Sequence, residues 1–245
     1  MKREVLEQLL ELKARKQQVA LVTELATGAQ DLFTDTHRAT GLGLSPAAAE
    51  QVGLALREDR NGELELDGRH CFVQVHNPAP RLIIIGAVHI SQALAPMAAM
   101  AGYAVTVVDP RRSFATEDRF PGVTLNGDWP DEAMERLKPD VRTAVVTLTH
   151  DPKLDDPALS AALRSPAFYI GALGSKKTHG ARLGRLTRAG FGEGDLARIH
   201  GPAGLDIGAK SPAEIAVSVL AQLTAARRNR QSQRPSGQRS PEQAS

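Results

Sequence analysis

Leu82-Ile83-Ile84-Ile85-Gly86-Ala87-Val88-His89 is the stretch on which the fold turns. A run of apolar residues suits a strand covered on both faces. The glycine directly after it suits a tight turn into a helix whose N–H groups face outward. Reading onward, helical patterns are predicted over 89–101, 130–137, 157–163 and 176–189, with a short one at 193–198. Strand patterns fall between them at 104–108, 123–125, 143–148 and 167–170. Ser211-Pro212-Ala213-Glu214 reads as an N-cap with Pro first and Glu third. The helix it opens carries Ala216, Val219, Leu220 and Leu223 at i, i+3, i+4, i+7. Such βαβ alternation predicts an α/β architecture, a Rossmann-like doubly wound parallel sheet over 80–228.

Reading backward, Asn77-Pro78-Ala79-Pro80 is a stiff joint before which the pattern changes. Residues 1–77 predict a small α+β domain. Its helix over 3–17 has Val5, Leu9 and Leu12 on one stripe, and a strand follows over 19–25. A Gly- and Thr-rich loop is expected at 26–44. Ser45-Pro46 caps a helix reaching residue 57, and Asp67-Gly68 joins strands at 63–66 and 70–75 by a type I′ turn. Residues 229–245 hold almost nothing apolar and predict a disordered tail.

Composition narrows the function. The 245 residues carry 30 Lys and Arg against 28 Asp and Glu, a net charge of +2, which argues against a nucleic-acid or polybasic membrane binder. Apolar runs are too short to span a bilayer. The start, Met1-Lys2-Arg3-Glu4, is charged rather than apolar, so a cytoplasmic protein is expected. Cys71 is the sole cysteine, which excludes an intrachain disulfide and a multi-cysteine metal site. Strand alternation sets it opposite His70 and His76.

Candidate chemistry gathers at predicted strand ends. Gly86 begins the first turn, and Asp109 ends the next strand, where a carboxylate commonly accepts from a ribose hydroxyl. Val88, however, stands where a second glycine lets a pyrophosphate approach. Thr149 and His150 follow another strand in Thr147-Leu148-Thr149-His150-Asp151, His150 able to donate, accept or titrate. Gly174-Ser175-Lys176-Lys177 offers a helix start with a hydroxyl and two cations, suited to an oxyanion. Gly204-Leu205-Asp206-Ile207-Gly208 is an irregular loop able to carry Asp206 over a site.

These segments together resemble the XdhC/CoxI family, the accessory proteins of xanthine dehydrogenase and related molybdenum hydroxylases. The resemblance spans about 80–226. It rests on Ile85 to His89, Val107-Val108-Asp109-Pro110-Arg111, Arg119-Phe120-Pro121-Gly122, Leu148 to Asp151, Tyr169 to Lys177 and Gly204 to Gly208. It implies a chaperone that binds molybdenum cofactor (molybdopterin). Such a protein presents its cargo to a cysteine desulfurase for sulfuration and delivers it to an apo-hydroxylase, with no chemical step of its own. The resemblance implies that the helix start from Gly174 to Lys177 holds the anionic tail, and that His89, Asp109 and His150 meet the pterin or the molybdenum ligands. The family's Gly-Ser-Ala-Pro-Arg and Gly-Gly-Cys segments have no match here, since Thr27-Gly28-Ala29-Gln30-Asp31 follows Leu21-Val22-Thr23-Glu24. A homodimer is the default assembly for such a fold. Two other readings stay open: an NAD(P)-dependent oxidoreductase using Gly86 and Asp109, and a cofactor-free interaction protein.

Overall fold

The computed structural model describes residues 2–34 and 41–232. The chain forms two compact units, Met1–Pro78 and Ala79–Ser245.

The first unit contains α1 (Arg3–Ala14), β1 (Val19–Glu24), β2 (Gln30–Phe33), α2 (Pro46–Arg57), β3 (Gly62–Leu66) and β4 (Arg69–His76). Its strands form an antiparallel sheet in the order β2-β1-β4-β3. Strand alternation splits the core. Ala20 and Val22 pack with Phe33, Cys71, Val73 and the α2 residues Val52 and Leu56, whereas Val19 and Leu21 pack with Leu9 and Leu32. Ser45 Oγ accepts from the Ala48 N–H at 3.2 Å, the expected cap. Asp67 and Gly68 have φ of 51° and 74°, as a type I′ turn requires. Burial pushes the Cys71 thiol up, so it is a packing residue. The stretch expected as loop contains a strand, β2, paired to β1 from Thr23↔Gln30 to Ala20↔Phe33. Residues 35–40 of that stretch lie outside the described residues. The first helix stops at Ala14, short of residue 17, because Lys16 turns left-handed at φ 55°.

The second unit runs β5 (Arg81–Ile85), α3 (His89–Met100), β6 (Ala104–Val108), β7 (Thr124–Asn126), α4 (Pro130–Leu137) and β8 (Thr143–Thr147). It continues through α5 (Pro152–Leu163), β9 (Tyr169–Ala172), α6 (Lys176–Arg188), α7 (Glu193–Leu196), β10 (Ile199–His200) and α8 (Pro212–Ser232). All six strands are parallel, in the order β7-β6-β5-β8-β9-β10. The chain steps outward from β5 to β7, returns to β8 on the other side, and steps outward again, which is the Rossmann order. Both faces are covered, and this is why β5 is uniformly apolar. Leu82 and Ile84 face α3 and α8, while Ile83 and Ile85 face α4, α5 and α6. The reversal between β5 and β8 fixes where the carboxyl-edge loops diverge.

Three details depart from expectation. Helix α5 starts at Pro152 rather than 157, because Asp151 caps it by accepting from the Lys153 N–H at 2.9 Å. Strand β10 joins the β9 edge where none was expected. Helix α8 opens on Ser211 as expected, with Glu214 accepting from the Ser211 N–H at 2.8 Å, but it continues to Ser232 past the expected tail start at 229. The rest of that tail lies outside the described residues.

Candidate functional site

At the carboxyl edge of β5, Gly86 turns the chain with φ 109°, donating its N–H to Val108 O at 2.8 Å. A β-carbon here would stand 2.5 Å from Thr149 Cγ2, so only glycine lets the β5 and β8 loops meet. Helix α3 begins on Val88 without a capping side chain, and exposed His89 is its first residue.

Asp109 does not present itself to a ribose. It is fully buried, with Oδ2 accepting from the Ala87 N–H at 2.8 Å and from Arg111 Nη2 at 2.7 Å. Its Oδ1 accepts from Arg111 Nε at 2.9 Å and the Arg111 N–H at 3.0 Å. Burial alone pushes this carboxyl up, but the Arg111 and Ala87 donors outweigh it and hold it below the usual carboxylate range. Asp109 therefore positions the Gly86 turn and Arg111. Motif spacing does not single out Arg111. Its guanidinium lies 4.5 Å from the centroid of the Phe114 ring, and its charge is held chiefly by the Asp109 hydrogen bond, with Asp151 and Asp155 adding to it.

The β8 loop is built around Thr149. Its hydroxyl donates to Asp155 Oδ1 at 2.7 Å and accepts from the Asp151 N–H at 3.0 Å. Between them His150 is exposed at φ 62°, a left-handed conformation that costs a bulky side chain roughly 1–2 kcal/mol. Asp155 faces Arg182 across 3.7 Å, and both are about 1% exposed. Arg182 Nη2 also donates to Leu173 O at 2.7 Å. One buried charge pair thus ties the loop after β8 to the loop after β9, and Thr149 carries the tie to Gly86. Burial pushes the Asp155 carboxyl up against the opposing Thr149 bond and Arg182 charge. Thr147 Oγ1, Asp155 Oδ2, His179 Nδ1 and Arg182 Nε and Nη1 are buried without a hydrogen-bond partner, so this edge keeps polar capacity its own fold does not use. The Asp155–Arg182 pair is invisible to motif reading, because it joins α5 to α6.

Gly174, at φ 142°, leads into α6. The Ser175 hydroxyl is not free as expected for an anion contact. It caps the helix, accepting from the Thr178 N–H at 3.1 Å. Lys176 and Lys177 are exposed on the first turn, which contains no acidic residue. Asp206 is exposed in a loop anchored to α8 through Leu205 N–H donating to Ser218 O at 3.1 Å. No hydrogen bond among the described residues joins it to the other expected site residues. A hollow of about 350 Å³, lined by Ser165, Arg198 and His200 among others, lies at the opposite, amino ends of β9 and β10. Among the described residues there is no cluster of three or more His, Cys, Asp or Glu placed to hold a metal ion. Among them no helix is long and apolar enough to cross a membrane.

Comparison with known proteins fits this geometry. The family described as the XdhC Rossmann domain matches residues 82–223. The chain is 32% identical over 193 residues to the molybdenum cofactor insertion chaperone PaoD of Escherichia coli K12, covering 79% of this chain and 53% of PaoD. It is 33% identical over 158 residues to a probable xanthine dehydrogenase subunit of Bacillus subtilis, covering 64% of this chain and 46% of that protein. A crystal structure described as a xanthine dehydrogenase from Bacillus halodurans superposes with a TM-score of 0.71 at 26% identity, over 94% of this chain and 68% of that one. The chain spans 29% to 53% of the length of the curated relatives it matches.

Proposed function

The chain belongs to the XdhC family through its Rossmann domain at residues 82–223, and from that premise we propose that it binds molybdenum cofactor and delivers it to a xanthine dehydrogenase-like molybdenum hydroxylase. The names of two relatives, an insertion chaperone and a xanthine dehydrogenase subunit, support the reading. The observation that carries it is the start of α6. Lys176 and Lys177 occupy the positive end of a helix dipole with no nearby first-turn carboxylate, an arrangement that costs a few tenths of a kcal/mol per cation unless an anion lies there. The phosphate or nucleotide tail of a pterin cargo supplies that anion. His150, held outward from the β8 loop, and His89, at the start of α3, lie on the same edge and meet the pterin end. Asp109 contributes indirectly, by fixing Arg111 and the Gly86 turn. Presentation of the cargo to a cysteine desulfurase for sulfuration, and a homodimeric assembly, belong to the same proposal. An NAD(P)-dependent oxidoreductase is disfavoured because the carboxylate it needs for a ribose is occupied by Arg111.

The test is cargo retention. Protein purified from a host competent in cofactor synthesis is expected to carry pterin, measured as its fluorescent oxidation product, together with molybdenum. Reversing both cations by Lys176→Glu and Lys177→Glu is expected to lower retention roughly tenfold or more. Wild-type protein that holds neither pterin nor molybdenum, and does not respond to added cofactor, overturns the proposal.

A further inference from the structure

Arg111 is held as a flat surface. Asp109 grips one edge of its guanidinium, with Nε to Oδ1 at 2.9 Å and Nη2 to Oδ2 at 2.7 Å. Phe114 presents its ring face to the guanidinium, whose Cζ lies 4.5 Å from the ring centroid. Arg119 fixes that phenylalanine by donating Nη1 to Phe114 O at 2.6 Å, and ties it to α3 by donating Nη2 to Gln92 Oε1 at 3.0 Å. A buried carboxylate, an aromatic ring and a second arginine therefore immobilise a side chain that is still 39% exposed. Surface arginines ordinarily keep their rotamer freedom; ordering this one lowers the entropy cost of placing a flat ligand upon it. With its edge on Asp109 and the Phe114 ring packed against it, the guanidinium keeps the exposed part of its surface to meet a ligand. The guanidinium lies close to the Gly86-Ala87 turn, because Asp109 Oδ2, which accepts from Arg111 Nη2, also accepts from the Ala87 N–H at 2.8 Å.

We propose that Arg111, backed by Phe114, is a stacking platform for a flat nitrogen heterocycle of the cargo. Guanidinium planes stack on such rings through dispersion and charge–π attraction, with little dependence on ring identity. Two sources present this chemistry: the pterin itself, or the base of a cofactor that carries a nucleotide. The platform lies at the end of β6, on the other side of β5 from the cationic start of α6. Ring and anion are therefore read by separate loops. The inference rests on the cofactor-binding reading above, but its test does not require loaded protein.

The experiment is calorimetric titration of the full chain with cytidine monophosphate, guanosine monophosphate, pterin-6-carboxylate and, as a ring-free control, inorganic pyrophosphate. The variants are Phe114→Leu, at an exposed position, and Arg111→Lys, which keeps the charge but loses the plane; unchanged melting temperatures check that both fold. Both are expected to weaken a ring ligand about tenfold and to leave pyrophosphate within twofold. Loss confined to the nucleotides assigns the platform to the base, and loss confined to pterin-6-carboxylate assigns it to the pterin. Ring ligands that fail to bind wild-type protein, or that bind both variants as well as wild type, overturn the inference. Cargo retention by wild-type protein would then still stand, so the two failures are distinguishable.

Discussion

Replacing Gly86 with alanine tests the contact on which the carboxyl edge is built. The new β-carbon meets Thr149 Cγ2 at 2.5 Å and Thr149 N at 3.4 Å, and the backbone there has φ 109°. Left-handed backbone costs an alanine roughly 1–2 kcal/mol, and forcing a methyl group into a packed site costs about 1–3 kcal/mol. The sum, roughly 2–5 kcal/mol, lowers the melting temperature of a domain this size by roughly 5–15 °C. The steric part belongs to a single methyl group. Thr149→Ser removes that methyl but keeps the hydroxyl that bonds Asp155 and receives the Asp151 N–H. In a double-mutant cycle read by urea unfolding, the serine background is expected to recover about 1–3 kcal/mol of the Gly86→Ala loss. The backbone part stays. Unfolding of Gly86→Ala within about 0.5 kcal/mol of wild type, or a cycle with no coupling, would refute the proposed apposition of the two loops.

The buried pair is expected to respond asymmetrically. Asp155→Ala strands a guanidinium that cannot lose its proton and costs about 3–5 kcal/mol. Arg182→Met leaves a carboxyl already pushed up by burial, free to become neutral, and costs less; equal losses in denaturant titrations would contradict this. For Asp109 the folded value is depressed, so its stabilisation is present above the unfolded carboxylate value of about 4 and fades as pH falls through the folded one. Asp109→Asn should therefore flatten the acid limb of a stability–pH curve below about pH 4, and an unchanged limb would rule the carboxylate out as its source. His150→Gly relieves the left-handed strain at φ 62°. It is expected to leave stability equal to wild type or about 1 kcal/mol higher while cargo retention falls; a drop in melting temperature would show the side chain to be structural.

Much of this architecture is legible in the sequence because covered strands write themselves as uninterrupted apolar runs, as in 82–85. Pro46 after Ser45, Pro212 after Ser211, and Asp67-Gly68 encode local backbone states and are legible for the same reason. Asp151-Pro152 carries the same signature as those two helix starts, yet Pro157, inside the first turns of α5, competes with it as a starting proline. Short strands are harder. β2 opens with Gln30 and Asp31 and has only Leu32 and Phe33 to contribute, while β10 is two residues long. At the site, motif spacing locates the right loops but not the division of labour within them. Asp109 and Ser175 read as facing a ligand, whereas each satisfies its own backbone or a neighbouring side chain. Asp155 and Arg182 become visible only in three dimensions, since a carboxylate and a guanidinium on different helices leave no periodic trace; Arg111 stands two residues after Asp109, but only its bonds to that buried carboxylate show what it does.

The six-stranded sheet ends on its two shortest strands, β7 with three residues and β10 with two. So little free ladder remains at either rim that a neighbouring backbone gains few hydrogen bonds by lying alongside. Strand-to-strand fibre growth is thereby blunted without the charged gatekeepers that longer rims require.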